Sequence, residues 1–80
     1  MRLDKYLKVS RIIKRRTIAN EACDAGRVFV NGKQARASYD VKQGDIIELQ
    51  LGQSPTKYEV LNVLEHATKE TAGEMFRLIK

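Results

Sequence analysis

Basic side chains are concentrated at the beginning of this sequence, at spacings that place them on one surface. The first sixteen residues hold seven Lys or Arg residues and a single acid, Asp4. Four of the cations recur at every third position and three follow as a run: Arg2, Lys5, Lys8, Arg11, Lys14, Arg15 and Arg16. Clustered guanidinium and ammonium groups bind phosphate, so this pattern predicts a surface for a polyanion such as RNA.

The cations at 14–16 lie where a second helix is predicted to begin, and no usual capping residue is present there. Ser, Thr, Asp or Asn normally caps such a start, and cations oppose the helix dipole by roughly 0.3–1 kcal/mol each. We expect a bound phosphate to complete the site, because free N–H groups and cations together form an anion receptor. Arg16 is the strongest single candidate for this contact, since guanidinium binds phosphate bidentately, followed by Arg2, Arg15 and Lys5.

Three further charged residues lie near this surface, and two of them have a second interpretation. Asp4 either complements the positive end of the first helix or holds Arg16 or Lys8 in position. Arg27 and Lys33 flank a predicted hairpin and extend the basic surface in one interpretation. Lys33 fits a solvated turn equally well.

Catalytic and metal-binding constellations are not found in the sequence. The one His (His66) and the one Cys (Cys23) make neither a Ser/His/Asp set nor a tetrahedral zinc site. The lone cysteine also fits a reducing compartment. We therefore expect a cytoplasmic binding protein that is not an enzyme and holds no metal or cofactor.

A membrane location is disfavoured by the hydropathy pattern. No stretch approaches the ~20 apolar residues that a membrane span needs. A helix lying on the membrane surface is unfavourable because Leu3 and Leu7 are needed for the core. The N-terminus lacks the apolar segment of a secretory signal, so we expect all eighty residues to belong to the mature protein.

Charge is polarised along the chain. Residues 1–42 hold eleven basic and four acidic residues, whereas residues 43–80 hold four basic and six acidic ones. The first part thus carries +7 and the second −2, within a net charge of +5. We expect RNA to bind the first part; in the alternative interpretation, the acidic part docks a protein and RNA binding is incidental.

Two helices are predicted to carry the basic residues. The first, over residues 2–13, has an inward face at spacings of three and four: Leu3, Tyr6, Leu7 and Ser10. The second, over residues 16–25, ends before Gly26 and has its own buried stripe: Ile18, Ala19, Ala22 and Cys23. Each helix therefore turns its long basic side chains to solvent.

Short strands follow the helices. Asn31-Gly32 predicts a type I′ turn between strands at 28–30 and 33–35. Alternating or apolar runs predict further strands at 46–51, 58–64 and 75–79, with a polar connection or helical turn between the last two. We expect one α+β domain over residues 1–80, with two N-terminal helices on a small, mostly antiparallel sheet. Residues 1–51 form its RNA-binding core and the strands of 52–80 complete the sheet.

Residues 2–51 resemble the S4 RNA-binding domain, which has the alpha-L-like fold. The matching stretches are RLDKYL at 2–7, RRT at 15–17, GRVFVNG at 26–32 and VKQGDI at 41–46. Many S4 domains have Ser-Arg where this chain has Arg15-Arg16, so a capping hydroxyl is lost and a cation gained. The resemblance implies binding of structured RNA through phosphates and 2′-hydroxyls.

The arrangement of residues 1–17 is similar to that of stand-alone S4 proteins of the RqcP type, from bacterial ribosome quality control. This resemblance implies binding to large ribosomal subunits obstructed by peptidyl-tRNA, with contacts to both rRNA and the tRNA. We expect the chain to act as a monomer. The resemblance also implies support for C-terminal alanine tailing by a partner protein of the RqcH type. The alternative is a general ribosome-assembly or heat-shock recycling factor, whose longer S4 relatives extend beyond the position of Lys80.

Overall fold

Two helices precede most of the strands in the computed structural model, which describes residues 1–79. Lys80, the last residue of the predicted 52–80 segment, lies outside the described residues. The elements in chain order are α1 (Leu3–Val9), α2 (Arg16–Asp24), β1 (Val28–Val30), β2 (Lys33–Gln34), β3 (Ile46–Leu49), β4 (Thr56–Val60), α3 (Lys69–Ala72) and β5 (Phe76–Leu78). The strands form one antiparallel sheet in the order β2-β1-β3-β4-β5. The predicted α+β class and antiparallel sheet are confirmed.

Helix α1 has the predicted inward face but is shorter than the predicted 2–13. Its inward residues are all buried: Leu3, Tyr6, Leu7 and Ser10. The helix ends at Val9 because Arg11 adopts a left-handed backbone with φ 64° and donates its N–H to the carbonyl of Lys8. This position past a helix end is usually glycine, so the apolar spacing alone extends the predicted helix too far.

Helix α2 begins at Arg16, as predicted, and ends at Asp24. Gly26, with φ 75°, follows it and donates its N–H to Cys23, while the N–H of Arg27 bonds to Ala22. This pair of hydrogen bonds is the Schellman motif, in which glycine avoids the cost of a left-handed Cβ. The predicted stripe is wrong for Ile18, which is 47% exposed; the buried residues of α2 are the small ones, Ala19, Ala22 and Cys23.

The sheet reproduces the predicted hairpin but not every predicted strand end. Asn31 and Gly32 both have positive φ, 53° and 83°, as a type I′ turn requires. Strand β3 stops at Leu49, since its partner β1 begins at Val28, and Leu51 is 41% exposed rather than inward-facing. Strand β4 likewise ends at Val60, before the predicted 64, and the polar connection contains α3, which Thr68 caps.

A buried carboxylate ties the hairpin to the loop before β3. Asp45, 9% exposed, accepts hydrogen bonds from Asn31 Nδ2 at 3.0 Å, Tyr39 Oη at 3.0 Å and the Lys42 N–H at 2.9 Å. The Asn31 Oδ1 in turn accepts from the N–H of Ile46 at 2.9 Å. The side chains of Asn31 and Asp45 therefore connect the hairpin turn at 31–32 to the loop that precedes β3.

Helix α1 is anchored at both of its sides by parts of the chain distant in sequence. The N–H groups of Leu3 and Asp4 donate to the carbonyls of Tyr39 and Ala37, at 2.8 and 3.1 Å. The buried hydroxyl of Tyr6 donates to the carbonyl of Met75 at 2.7 Å. These bonds hold α1 against the sheet with its basic side outward. Among residues 1–79, no helix combines the length and apolar character needed to cross a membrane.

Candidate nucleic-acid interface

Two arginines, one just before α1 and one at the start of α2, meet on one buried carboxylate. Asp4 is 2% exposed, and its oxygens lie 3.2 Å from Arg2 Nε and 3.4 Å from Arg16 Nε. The Nδ2 of Asn20 and the N–H of Lys5 also donate to it, at 3.3 and 2.8 Å. The side chains of Arg2 and Arg16 stay 52% and 48% exposed. Asp4 thus holds the inner parts of both guanidinium groups and leaves them accessible to a ligand.

The Asp4 carboxyl group is held in its charged form by these donors. Burial by itself would raise the pKa of Asp4, but hydrogen bonds from Arg2, Asn20, Lys5 and Arg16 outweigh it and lower the pKa below its ordinary value of 3.8. The sequence left open whether Asp4 holds Arg16 or Lys8. The contact is with Arg16, which α2 brings back to the start of α1.

The lowered pKa of Asp4 gives a pH-dependent prediction. A carboxyl group with a depressed folded-state pKa stabilises the fold above its unfolded pKa, and this stabilisation is lost as the pH falls through the folded value. We expect Asp4→Asn to lower the free energy of unfolding at pH 7 and the difference from wild type to shrink below pH 3.8. Urea unfolding between pH 2.5 and 7 measures this; a difference that stayed constant with pH would contradict it.

A polar groove of about 590 Å³ continues from this cluster between α2 and the segment at 34–38. Arg2 and Asn20 line one part of it, and Arg36 and Ser38 line another. Arg36 was not predicted as a site residue. The sequence does contain a signal for it, because Arg36 stands between two small apolar residues, Ala35 and Ala37. This alternation predicts an exposed Arg36 between buried neighbours, as on a surface strand, and the structure has that arrangement.

The other predicted cations of α1 lie elsewhere. Lys8, Arg11 and Lys14 line a second groove, beyond the end of α1. Lys5 is partly buried and its ammonium group bonds to Glu65 at 2.5 Å. The basic residues in and around α1 therefore divide: Arg2 joins the Asp4 cluster, Lys8, Arg11 and Lys14 line the second groove, and Lys5 pairs with Glu65.

Three further predicted residues belong neither to the Asp4 cluster nor to either groove. Arg15 is the exposed residue before α2, and its side chain makes no capping hydrogen bond. Arg27 and Lys33 are exposed at the hairpin and line neither groove. Their assignment to the RNA surface stays a prediction, as does the role of the Asp4 cluster toward a ligand.

The described residues offer little for other chemistry. Burial, and then the charges of Asp4 and Asp24, raise the pKa of the Cys23 thiol to about 11, so it is protonated at neutral pH. Within residues 1–79, no cluster of three or more His, Cys, Asp or Glu side chains suits a metal ion. The surface presents exposed positive charge, which suits a phosphate backbone.

Known proteins similar to this chain share both its sequence and its fold. Residues 1–47 match the S4 domain family. The RQC P-site tRNA stabilizing factor of Bacillus subtilis is 49% identical over 80 residues, which cover all of this chain and 93% of that protein. The factor of the same name from Halalkalibacterium halodurans is also 49% identical, with 91% of its length covered.

A solved structure extends the likeness to three dimensions. The trimeric Vibrio cholerae Heat Shock Protein 15 superposes with a TM-score of 0.89 at 28% identity, over 98% of this chain and 80% of that one. The S4 resemblance predicted from residues 2–51 is confirmed, and the likeness continues through the C-terminal strands. This chain is a member of the S4-domain proteins and belongs to the family of RQC P-site tRNA stabilizing factors.

Proposed function

We propose that this chain binds RNA on the large ribosomal subunit and stabilises tRNA in the P site during ribosome quality control. The shared name of its full-length relatives supports this role. The observation that carries the proposal is the pair of half-exposed guanidinium groups, Arg2 and Arg16, held side by side on Asp4. Two oriented guanidinium groups suit the oxygens of a phosphate backbone. Because the buried carboxylate of Asp4 already orients both groups, they lose less conformational entropy when they bind phosphate.

The proposed RNA contacts extend outward from this pair. Arg36 joins it along the adjoining groove. The remaining members are the cations predicted from the sequence: Lys5, Lys8, Arg11, Lys14, Arg15, Arg27 and Lys33. Asp4 acts as a positioning residue, since its nearly complete burial keeps it from touching RNA itself.

The finer parts of the proposal concern the complex in which the chain acts. Its RNA ligands are large-subunit rRNA and peptidyl-tRNA, and it supports C-terminal alanine tailing by an RqcH-type partner in the cytoplasm. Membership of the family supports this setting. We propose that the chain acts as a monomer; light scattering of the purified protein measures this directly, which matters because the Vibrio cholerae relative is trimeric.

Sedimentation of tagged Arg16→Glu with large subunits that carry peptidyl-tRNA tests the proposal. Arg77→Glu is the matched control, because Arg77 is also exposed and also bonds one carboxylate, that of Glu59 at 2.6 Å. The two substitutions change the net charge of the protein by the same amount. Arg77 and Glu59 alternate with the buried Val60 and so lie on the sheet face away from the helices.

We expect wild type and Arg77→Glu to co-migrate with the subunits at low salt and Arg16→Glu to remain near the top of the gradient. Wild-type protein that also remained near the top would overturn the ribosomal assignment. Equal loss in both variants would mean that net charge, and not the Asp4 cluster, decides binding.

The alternatives are less well supported. The heat-shock recycling role is supported by the TM-score of 0.89 to the Vibrio cholerae Heat Shock Protein 15. The sequence identity to that protein is 28%, however, against 49% to the tRNA-stabilizing factors. Protein docking by the acidic part is disfavoured because three of its acids are already paired with cations: Glu48, Glu59 and Glu65.

A further inference from the structure

A second cluster of cations lies where the end of α1 faces the connection between β4 and α3. An open groove of about 630 Å³ separates the two, and both parts of the chain line it, with four cations (Lys8, Arg11, Lys14 and Lys69) and the imidazole of His66. Glu65 is the one acid in its lining, and the ammonium group of Lys5 neutralises it at 2.5 Å. This pair also links the connection to α1.

The cations of this groove differ from those on Asp4 because protein carboxylates do not neutralise them. None of Lys8, Arg11, Lys14 and Lys69 takes part in an ion pair with any residue from 1 to 79. All four are exposed. Like charges gathered around one groove repel each other, and an anion placed between them removes that repulsion.

The backbone at Arg11 is a second feature of the groove. Arg11 has φ 64°, a left-handed conformation that costs a residue with a Cβ roughly 1–2 kcal/mol. Glycine would avoid this cost, yet the position carries a long cation that lines the groove. Strained backbone that holds a functional group in place is a common feature of binding sites.

We propose that this groove is a second RNA-binding subsite, in which His66 and Lys69 contact backbone phosphates together with Lys8, Arg11 and Lys14. The proposal rests on the proposed function for the nature of the ligand, and it gives the 65–69 connection a role that the sequence did not suggest. The Asp4 cluster and the groove lie at opposite ends of α1, whose seven residues span roughly 10 Å. One phosphate cannot reach both, so the two subsites hold RNA at two points and fix its orientation.

His66 provides a direct probe of the groove, because it is the only histidine in the chain. Its imidazole proton signals can be followed by NMR while purified bacterial tRNA is added to the full-length protein. We expect those signals and the Lys69 amide to shift, together with the amides around Arg16.

Charge reversal at Lys69 tests whether the groove contributes to binding. Lys69→Glu is expected to weaken tRNA binding about tenfold and to lower the slope of log affinity against log salt by about 1. A glutamate also suits the first turn of α3, so the fold is retained. Lys57→Glu is the control of equal charge, on the sheet face away from the helices, and should change the affinity less than about twofold.

The outcomes separate this subsite from the proposed function. Shifts around Arg16 with unchanged His66 signals, and equal affinities for Lys69→Glu and Lys57→Glu, would overturn the second subsite and leave the proposed function standing. An absence of shifts at both places would overturn both. Shifts at both places with a selective loss in Lys69→Glu support the subsite.

Discussion

Replacing both arginines on Asp4, in the variant Arg2→Gln/Arg16→Gln, is expected to weaken binding to large ribosomal subunits about 100-fold, or roughly 2.8 kcal/mol. Each guanidinium group can make charge-assisted hydrogen bonds to phosphate that contribute about 1.5–3 kcal/mol, and glutamine replaces them with neutral ones. Glutamine side chains can still donate hydrogen bonds to Asp4, so the buried carboxylate keeps its donors. Fluorescence-detected binding to purified subunits, measured at several salt concentrations, gives the affinity and its salt slope.

The matched control for this variant is Lys57→Gln/Arg77→Gln. It removes the same two charges from the sheet face away from the helices, where both cations are paired with glutamates. We expect it to bind within about threefold of wild type, since long-range electrostatics alone are largely screened at physiological salt. Losses of equal size in the two double variants would show that the Asp4 cluster contacts no RNA.

Removing the buried carboxylate of Asp45 is expected to have the largest effect on stability. Asp45→Ala leaves the Asn31 amide, the Tyr39 hydroxyl and the Lys42 N–H without an acceptor. We expect a loss of about 3 kcal/mol in the free energy of unfolding, because each unsatisfied donor costs roughly 1–3 kcal/mol and partial exposure reduces the sum. A domain of this size is stable by only about 4–12 kcal/mol, so urea denaturation should detect the change easily.

Asp40→Ala provides the comparison for Asp45. Asp40 is exposed and bonds the N-terminal amine at 2.7 Å, so its removal should leave the unfolding midpoint nearly unchanged. Asp45→Asn, which keeps the shape and part of the hydrogen bonding, should fall between wild type and Asp45→Ala. Equal midpoints for Asp45→Ala and Asp40→Ala would contradict the proposed tie between hairpin and loop.

Local patterns were sufficient to predict most of the fold. The inward face of α1, the start of α2 at Arg16, the glycine after its end and the Asn31-Gly32 turn each depend on neighbours within a few residues. Element ends were less predictable for a physical reason. Strand β3 ends at Leu49, opposite Val28, the first residue of β1. Helix α1 stops because Arg11 takes a conformation usual for glycine.

The sequence by itself determined the class of ligand, because seven cations against one acid in sixteen residues make a basic surface however the helices pack. Only the tertiary structure decided how those cations are divided. Asp4 pairs with Arg16 and not with Lys8, because the start of α2 lies beside the start of α1. The fold of the sheet also brings Glu65 and Lys69 beside α1, although Glu65 lies sixty positions from Lys5 in the sequence. Contacts between residues so far apart in the sequence produce no periodic pattern in it.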